Sequence, residues 1–340
     1  MIASAASTST AIIHPHQRIS VAPMMDWTTR DYRYFARLFN SNVWLYSEMV
    51  TTGAILFGDK ARHLDFNASE QPLVLQLGGS NPKDLALCSQ IAQDWGYREV
   101  NLNVGCPSDR VQNNKIGACL MAEPELVAEC ITAMQHAVDI PVSVKHRIGI
   151  DDMQSYEQML HFVDTVAQTG CNHFIVHARI ALLKGLSPKE NRDIPPLRYD
   201  DVYRLKTERP NLFIEINGGI QTLQQTQDHL THVDGVMIGR AAYHDPYLLA
   251  QSMTLWQQTL PDRFDIMQQF MPYIEQRLSE GAPLSIITRH ILGLFQHLPG
   301  ARKWRQALSG NNARTLADVE QALTEIQNRI DAATNCFVAN

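Results

Sequence analysis

Apolar and polar residues alternate with a period of two in eight short stretches of the chain. They are ISVAPM (19–24), VWLYSEM (43–49), LVLQLGG (73–79), EVNLNVG (99–105), PVSVKHRIG (141–149), HFIVHAR (173–179), FIEINGG (213–219) and GVMIGR (235–240). That alternation, bounded by glycine and proline, predicts strands. Between them the apolar period lengthens to that of a helix. NPKDLALCSQIAQDW offers Asn81 as an N-cap, proline at the first helical position, and Leu85, Cys88, Ala92 and Trp95 on one face. PELVAECITAMQHAV and YEQMLHFVDTVAQTG repeat the pattern.

Eight strand–helix units over about 230 residues suit a closed parallel barrel better than an open doubly wound sheet. The pattern therefore predicts an α/β fold, a (β/α)8 TIM barrel over residues 18–260. Beyond it the strand signal ends, and DRFDIMQQFMPYIEQRL, LSIITRHILGLFQHL and TLADVEQALTEIQNRI carry only helical periodicity, which predicts a small C-terminal helical domain over 261–335. Residues 1–17 read as a flexible tail with neither the basic start nor the apolar centre of a targeting peptide.

Composition narrows the setting. The 340 residues are 45% hydrophobic and 19% charged, and no apolar run reaches the roughly 18 residues of a membrane helix. Six cysteines without paired spacing argue against disulfides and structural metal and for a reducing cytoplasm. A net charge of −6 gives no general attraction to nucleic acid. Two stretches run against it: residues 179–209 hold eight basic against five acidic residues, and residues 289–305 hold four basic and none acidic. Two basic surfaces on an acidic chain suggest a polyanion held at two places.

In a parallel barrel the C-terminal strand ends share one rim, so their residues converge on a common mouth. Asn217, Gly218 and Gly219 after strand seven, with Gly239 and Arg240 after strand eight, stand where such barrels bind phosphate. Glycines let backbone N–H groups approach the oxygens, and Arg240 adds charge. Gln76, Lys145 and His177 end strands three, five and six; each alone has an ordinary packing role, while together they offer donors to a planar, electron-rich heterocycle. Cys106 lies past strand four between Gly105 and Pro107, ahead of a stretch, KIGACLM, that reads as a lid. Its thiol suits a nucleophile if its pKa is depressed or a general acid if it stays near about 8.5, and the sequence leaves both open.

These segments together resemble the tRNA-dihydrouridine synthases, in particular their bacterial A-type subfamily. VAPMMDWT, VLQLGG, NLNVGCPS, KIGACLM, VKHRIG, IVHAR, GLSPKENRDIPPL, INGGI and MIGRAAY occur in order from about residue 18 to the last helices. The resemblance implies FMN as the phosphate-bearing ligand, NADPH as reductant, and tRNA as partner, with U20 and U20a of the D-loop as substrate. It implies that Pro23, Met24 and Met25 border the flavin, that Gln76, Lys145 and His177 bond its ring, and that Asn217, Gly218, Gly219, Gly239 and Arg240 hold its phosphate. Cys106 becomes the proton donor, and Asn103, Lys184, Ser187, Arg302 and Arg305 contact tRNA. A monomer without metal is expected. In one place the chain departs from the subfamily: Ile180 follows HAR where a basic residue is common. Other readings of the same residues are a flavin barrel acting on a free pyrimidine, an aldolase forming a Schiff base at Lys145, and a non-catalytic RNA-binding barrel.

Overall fold

The computed structural model describes residues 16–108, 115–310 and 312–338; most of the expected tail (1–15) lies outside the described residues. Eight strands form one parallel sheet: β1 (Arg18–Val21), β2 (Leu45–Thr51), β3 (Leu73–Gly78), β4 (Glu99–Val104), β5 (Val142–Arg147), β6 (His173–His177), β7 (Phe213–Asn217) and β8 (Gly235–Ile238). Six fall within a stretch picked out by its alternation, while β1 starts one residue before its stretch and β2 runs two residues past its own. Neighbours pair in sequence order, and β1 also pairs with β8. The ring closes where Val21 N–H donates to Trp44 O and Trp44 N–H to Ile19 O, each at 2.9 Å. The sheet is a (β/α)8 barrel.

Strand parity sorts the side chains. Outward positions such as Leu73, Leu75, Val100, Leu102, Val144, Val176, Ile214 and Val236 are fully buried beneath the surrounding helices. The helix at Pro82–Trp95 begins as expected: the Asn81 side chain accepts from the N–H groups of Lys83 and Asp84. Inward positions form three tiers. At the closed end, Arg18 pairs with Glu99 at 2.8 Å, and His173 lies 3.2 Å from Glu215 and 3.5 Å from Glu99. Burial alone would raise the Glu99 carboxyl, but Arg18 and His173 override it and hold it down to about 2. Above them sits an apolar plug of Ala22, Tyr46, Val74, Ile175 and Met237. The third tier, at the mouth, is polar again.

The C-terminal helix Leu316–Val338 packs on Ala301–Leu308 and on Arg263–Ser279, and Arg263–Ser279 with the short helix Leu284–Thr288 packs against the first helix of the barrel, Arg30–Arg37. There Asp31 accepts from Arg277 at 2.8 Å and from Tyr273 at 2.7 Å, and Tyr34 stacks on Tyr273 with ring centroids 4.0 Å apart. One expected helix is mostly absent. Of LSIITRHILGLFQHL only Leu284–Thr288 is helical, and the chain continues in successive tight turns. Gly293 explains this, because a Cβ there would lie 2.3 Å from the carbonyl oxygen of His244. The backbone approaches the barrel too closely for a regular helix with side chains all round, yet Ile291, Leu294 and Phe295 still bury the face that gave the periodic signal. Among the described residues no helix is long and apolar enough to cross a membrane.

Candidate active site

The mouth of the barrel opens into a cavity of about 1620 Å³, larger than the roughly 300–1,000 Å³ of most small-ligand sites. Its lining includes Pro23, Met24, Met25, Gln76, Asn103, Cys106, Lys145, His177, Asn217, Gly218, Gly219, Gly239 and Arg240. Every residue read from a strand tip as a flavin neighbour or as the reacting thiol therefore meets in one chamber. Lys184, Ser187, Arg302 and Arg305 do not line it. Lys184 and Arg302 are exposed, and Arg305 is half-buried with its guanidinium donating to Gln296. Ser187 is exposed, but its hydroxyl is already engaged, accepting from Glu190 N–H.

Parity explains why the lining is polar. On β4 and β5, Asn103 and Lys145 are register neighbours, as are Gln76 and Asn101 on β3 and β4, and all four point inward. Lys145 touches the cavity but sits below its rim, surrounded by protein. Burial, and then repulsion from Arg147, push its ammonium down to about 7. Its Nζ donates to Asn217 Oδ1 at 3.1 Å, and Asn217 in turn donates to Met237 O at 2.8 Å. His177 is driven well below the ordinary imidazole range by burial and then by Arg147 and Lys145. A depressed ammonium and a neutral imidazole thus stand on neighbouring strands at the floor of the cavity.

At the tips of β7 and β8, Gly218 has φ +119°, and a Cβ there would lie 2.7 Å from the His177 ring. The Tyr199 hydroxyl holds the turn by donating to Gly218 O at 2.7 Å. Gly218→Ala is expected to lower stability by about 1–3 kcal/mol, through the strained backbone and the displaced imidazole. Thermal denaturation of the purified variant against the native protein checks the loss. Arg240, expected to meet a phosphate, is here paired with Asp193 at 2.7 Å, an exposed contact of small worth that a bound anion can replace.

Cys106 is half-buried, and its loop is fastened from several sides. Asn103 Oδ1 accepts from the N–H groups of Gly105 at 3.1 Å and of Cys106 at 3.0 Å. Arg147 Nε donates to Gly105 O at 2.9 Å, and Ala118 N–H to Cys106 O at 2.9 Å. The expected lid is corrected by what surrounds it: Ala118, Leu120 and Met121 are buried in the hydrophobic core, so 115–121 is a packed buttress of the thiol loop.

Sequence reading missed Arg147, Arg192 and Glu48, which also line the cavity. Arg147 was within reach, since it stands two residues beyond Lys145 and shares its parity. Glu48 was hidden by a register shift between Tyr46 and Met49 that breaks the alternation of β2.

The family model for dihydrouridine synthase (Dus) matches residues 20–331, which includes every element described above except the first residues of β1 and the last of the C-terminal helix. The chain belongs to the dihydrouridine synthase family. Curated relatives agree over nearly their whole length. A protein of Shewanella oneidensis named tRNA-dihydrouridine(20/20a) synthase is 60% identical over 304 residues, covering 88% of this chain and 90% of its own. Proteins of the same name from Synechocystis sp. and Vibrio cholerae are 56% and 55% identical, each covering 91% of this chain and 93% and 96% of their own. Among solved structures, a 2-naphthoyl-CoA reductase complex aligns with a TM-score of 0.55 at 11% identity over 70% of this chain and 50% of that one, a likeness of fold alone. As a dihydrouridine synthase the protein is an oxidoreductase.

Proposed function

We propose that this dihydrouridine synthase reduces the C5–C6 bond of D-loop uridines in tRNA, at U20 and U20a, using bound FMN and NADPH. The observation that carries the reading is the convergence in one chamber of the Cys106 thiol, of Gln76, Lys145 and His177, and of the glycines at 218, 219 and 239 with Arg240. The residues suit a flavin. The Lys145 ammonium, held down to about 7, has a neutral amide as its hydrogen-bond partner, and the Gly218 turn brings bare backbone to the cavity wall. Lys145, His177 and the second amide hydrogen of Gln76, whose first goes to Asn101, would bond the ring, Pro23, Met24 and Met25 would border it, and Asn217, Gly218, Gly219, Gly239 and Arg240 would hold the phosphate.

When bound and reduced, FMN supplies a hydride for C6 of the uracil. The chain supplies the rest. Cys106 gives the proton to C5, and the hydrogen bonds from its loop to Asn103 and Arg147 fix where its sulfur stands. A base stacked in folded RNA must be extruded to reach the chamber at a cost of a few kcal/mol, which phosphate contacts elsewhere offset. Asn103, Lys184, Ser187, Arg302 and Arg305 are proposed to make those contacts, from a catalytic barrel (18–260) and a helical tRNA-binding domain (261–335). A cytoplasmic monomer suits this role.

The test is mass spectrometry of tRNA after incubation with protein and NADPH. A gain of two hydrogens mapped to positions 20 and 20a is expected. Turnover of free uridine as fast as that of tRNA would overturn the reading in favour of a small-pyrimidine reductase.

A further inference from the structure

A continuous line of buried hydrogen bonds crosses the barrel from its closed end to the thiol loop. Asn103 Nδ2 donates to Gln76 Oε1 at 2.8 Å, Gln76 Nε2 to Asn101 Oδ1 at 2.8 Å, Asn101 Nδ2 to Ser143 Oγ at 2.9 Å, and Ser143 Oγ to Glu99 Oε1 at 2.5 Å. Arg18 closes it by donating to Glu99 Oε2 at 2.8 Å. The line exists because its members are inward-facing register neighbours, Gln76 beside Asn101 and Asn101 beside Ser143. All of them are buried, from Asn101 at 0% exposed to Asn103 at 8%.

Both ends of the line demand the same direction, since Glu99 only accepts and the N–H groups of Gly105 and Cys106 only donate. An ionised carboxylate only accepts, so the Ser143 hydroxyl must give it its one proton and can only accept from Asn101. Asn101 then turns its oxygen toward Gln76, Gln76 turns its oxygen toward Asn103, and the oxygen of Asn103 is left facing the N–H groups of Gly105 and Cys106. We propose that Glu99, through Ser143, Asn101 and Gln76, sets the orientation of the Asn103 amide and thereby positions the Cys106 loop. These are positioning residues, and the inference rests on the reading of Cys106 as proton donor.

Glu99→Gln is the informative change because it keeps the shape and reverses the instruction. Arg18 only donates, so the new amide presents its oxygen to Arg18 and its NH2 to Ser143. The Ser143 proton, no longer held by residue 99, is then free for Asn101, and a reversal passed on through Gln76 would turn the NH2 of Asn103 toward two N–H donors. The loop is released. Removing the relay in the same chain, Glu99→Gln with Ser143→Ala, stops the reversal from passing upward and frees Asn101 to return to its native orientation.

The experiment uses the full-length, flavin-loaded protein. It reads kcat and KM on tRNA, and the rate at which iodoacetamide alkylates the Cys106 peptide. Glu99→Gln is expected to lower kcat about 10- to 100-fold with little change in KM, through misplacement of the reacting group, and to speed alkylation several-fold. The double variant is expected to recover part of both, whereas independent structural damage would make the losses multiply. Multiplying losses, or an unchanged alkylation rate in Glu99→Gln, would overturn the proposal. If Glu99→Gln does not fold, Ser143→Ala against Ser143→Thr decides: alkylation should quicken in the first and return to the native rate in the second, and equal rates would refute the relay. Alkylation does not depend on the chemical role of the thiol. Failure of the acid assignment therefore leaves these rate differences intact, and failure of the relay abolishes them whatever Cys106 does.

Discussion

Cys106→Ala is expected to retain its flavin and to turn over tRNA about 10²- to 10⁴-fold more slowly, the usual worth of a positioned proton donor. The cofactor stays because its proposed anchors sit on β3, β5, β6, β7 and β8, while the thiol hangs from the loop after β4. The fold stays because a half-buried sulfur on a loop held through its backbone is replaced by a smaller side chain without loss of those hydrogen bonds. Rapid-mixing kinetics separate the two halves of the reaction: reduction of the flavin by NADPH should proceed at the native rate, and its reoxidation by tRNA should stall. Native reoxidation by tRNA would remove the acid role from Cys106.

Lys145→Met is expected to do two opposite things. Flavin affinity falls about ten- to hundredfold, for want of a charge-assisted hydrogen bond to the ring. The flavin-free protein becomes more stable at pH 7, because methionine carries no charge into the barrel. The pH dependence identifies the cause. In the unfolded chain Lys145 holds its proton up to about pH 10.4, whereas in the fold it releases it near 7, so between these values the unfolded state binds more protons and native stability rises with pH. The penalty, on the order of a few kcal/mol, is borne in full below pH 7 and relieved as pH climbs toward 10. The gap in Tm between Lys145→Met and the native protein, both without flavin, should narrow over that range. A gap that does not change with pH would show that packing, and not the ammonium, is responsible.

The barrel was legible because its strands obey a rule that needs no partner: period-two alternation says which side faces in, and convergence of parallel strand ends does the rest. That is why Gln76, Lys145 and His177 could be placed on one rim before any coordinates. What escaped the sequence depends on distance between remote segments. The pairing of Arg240 with Asp193 joins residues 47 positions apart. The burial of Leu120 and Met121, which turns an apparent lid into a buttress, is decided by the core beneath them and not by the short stretch around Gly117 itself. The turns after Thr288 hide behind a helical pattern because both conformations bury the same apolar residues, and only the approach of Gly293 to His244 separates them.

One guanidinium serves two loops. Besides its bond to Gly105, Arg147 donates to Ile180 O at 3.0 Å and Asn191 O at 2.9 Å, both on the long segment after β6. That segment is stiffened in turn by the Asn191 amide, which donates to Leu182 O at 2.9 Å and accepts from Leu182 N–H at 2.8 Å. A polyanion that loads the outer basic segment thus bears, through a single strut, on the backbone that carries the sulfur. Gripping the substrate and aiming the proton become one mechanical event.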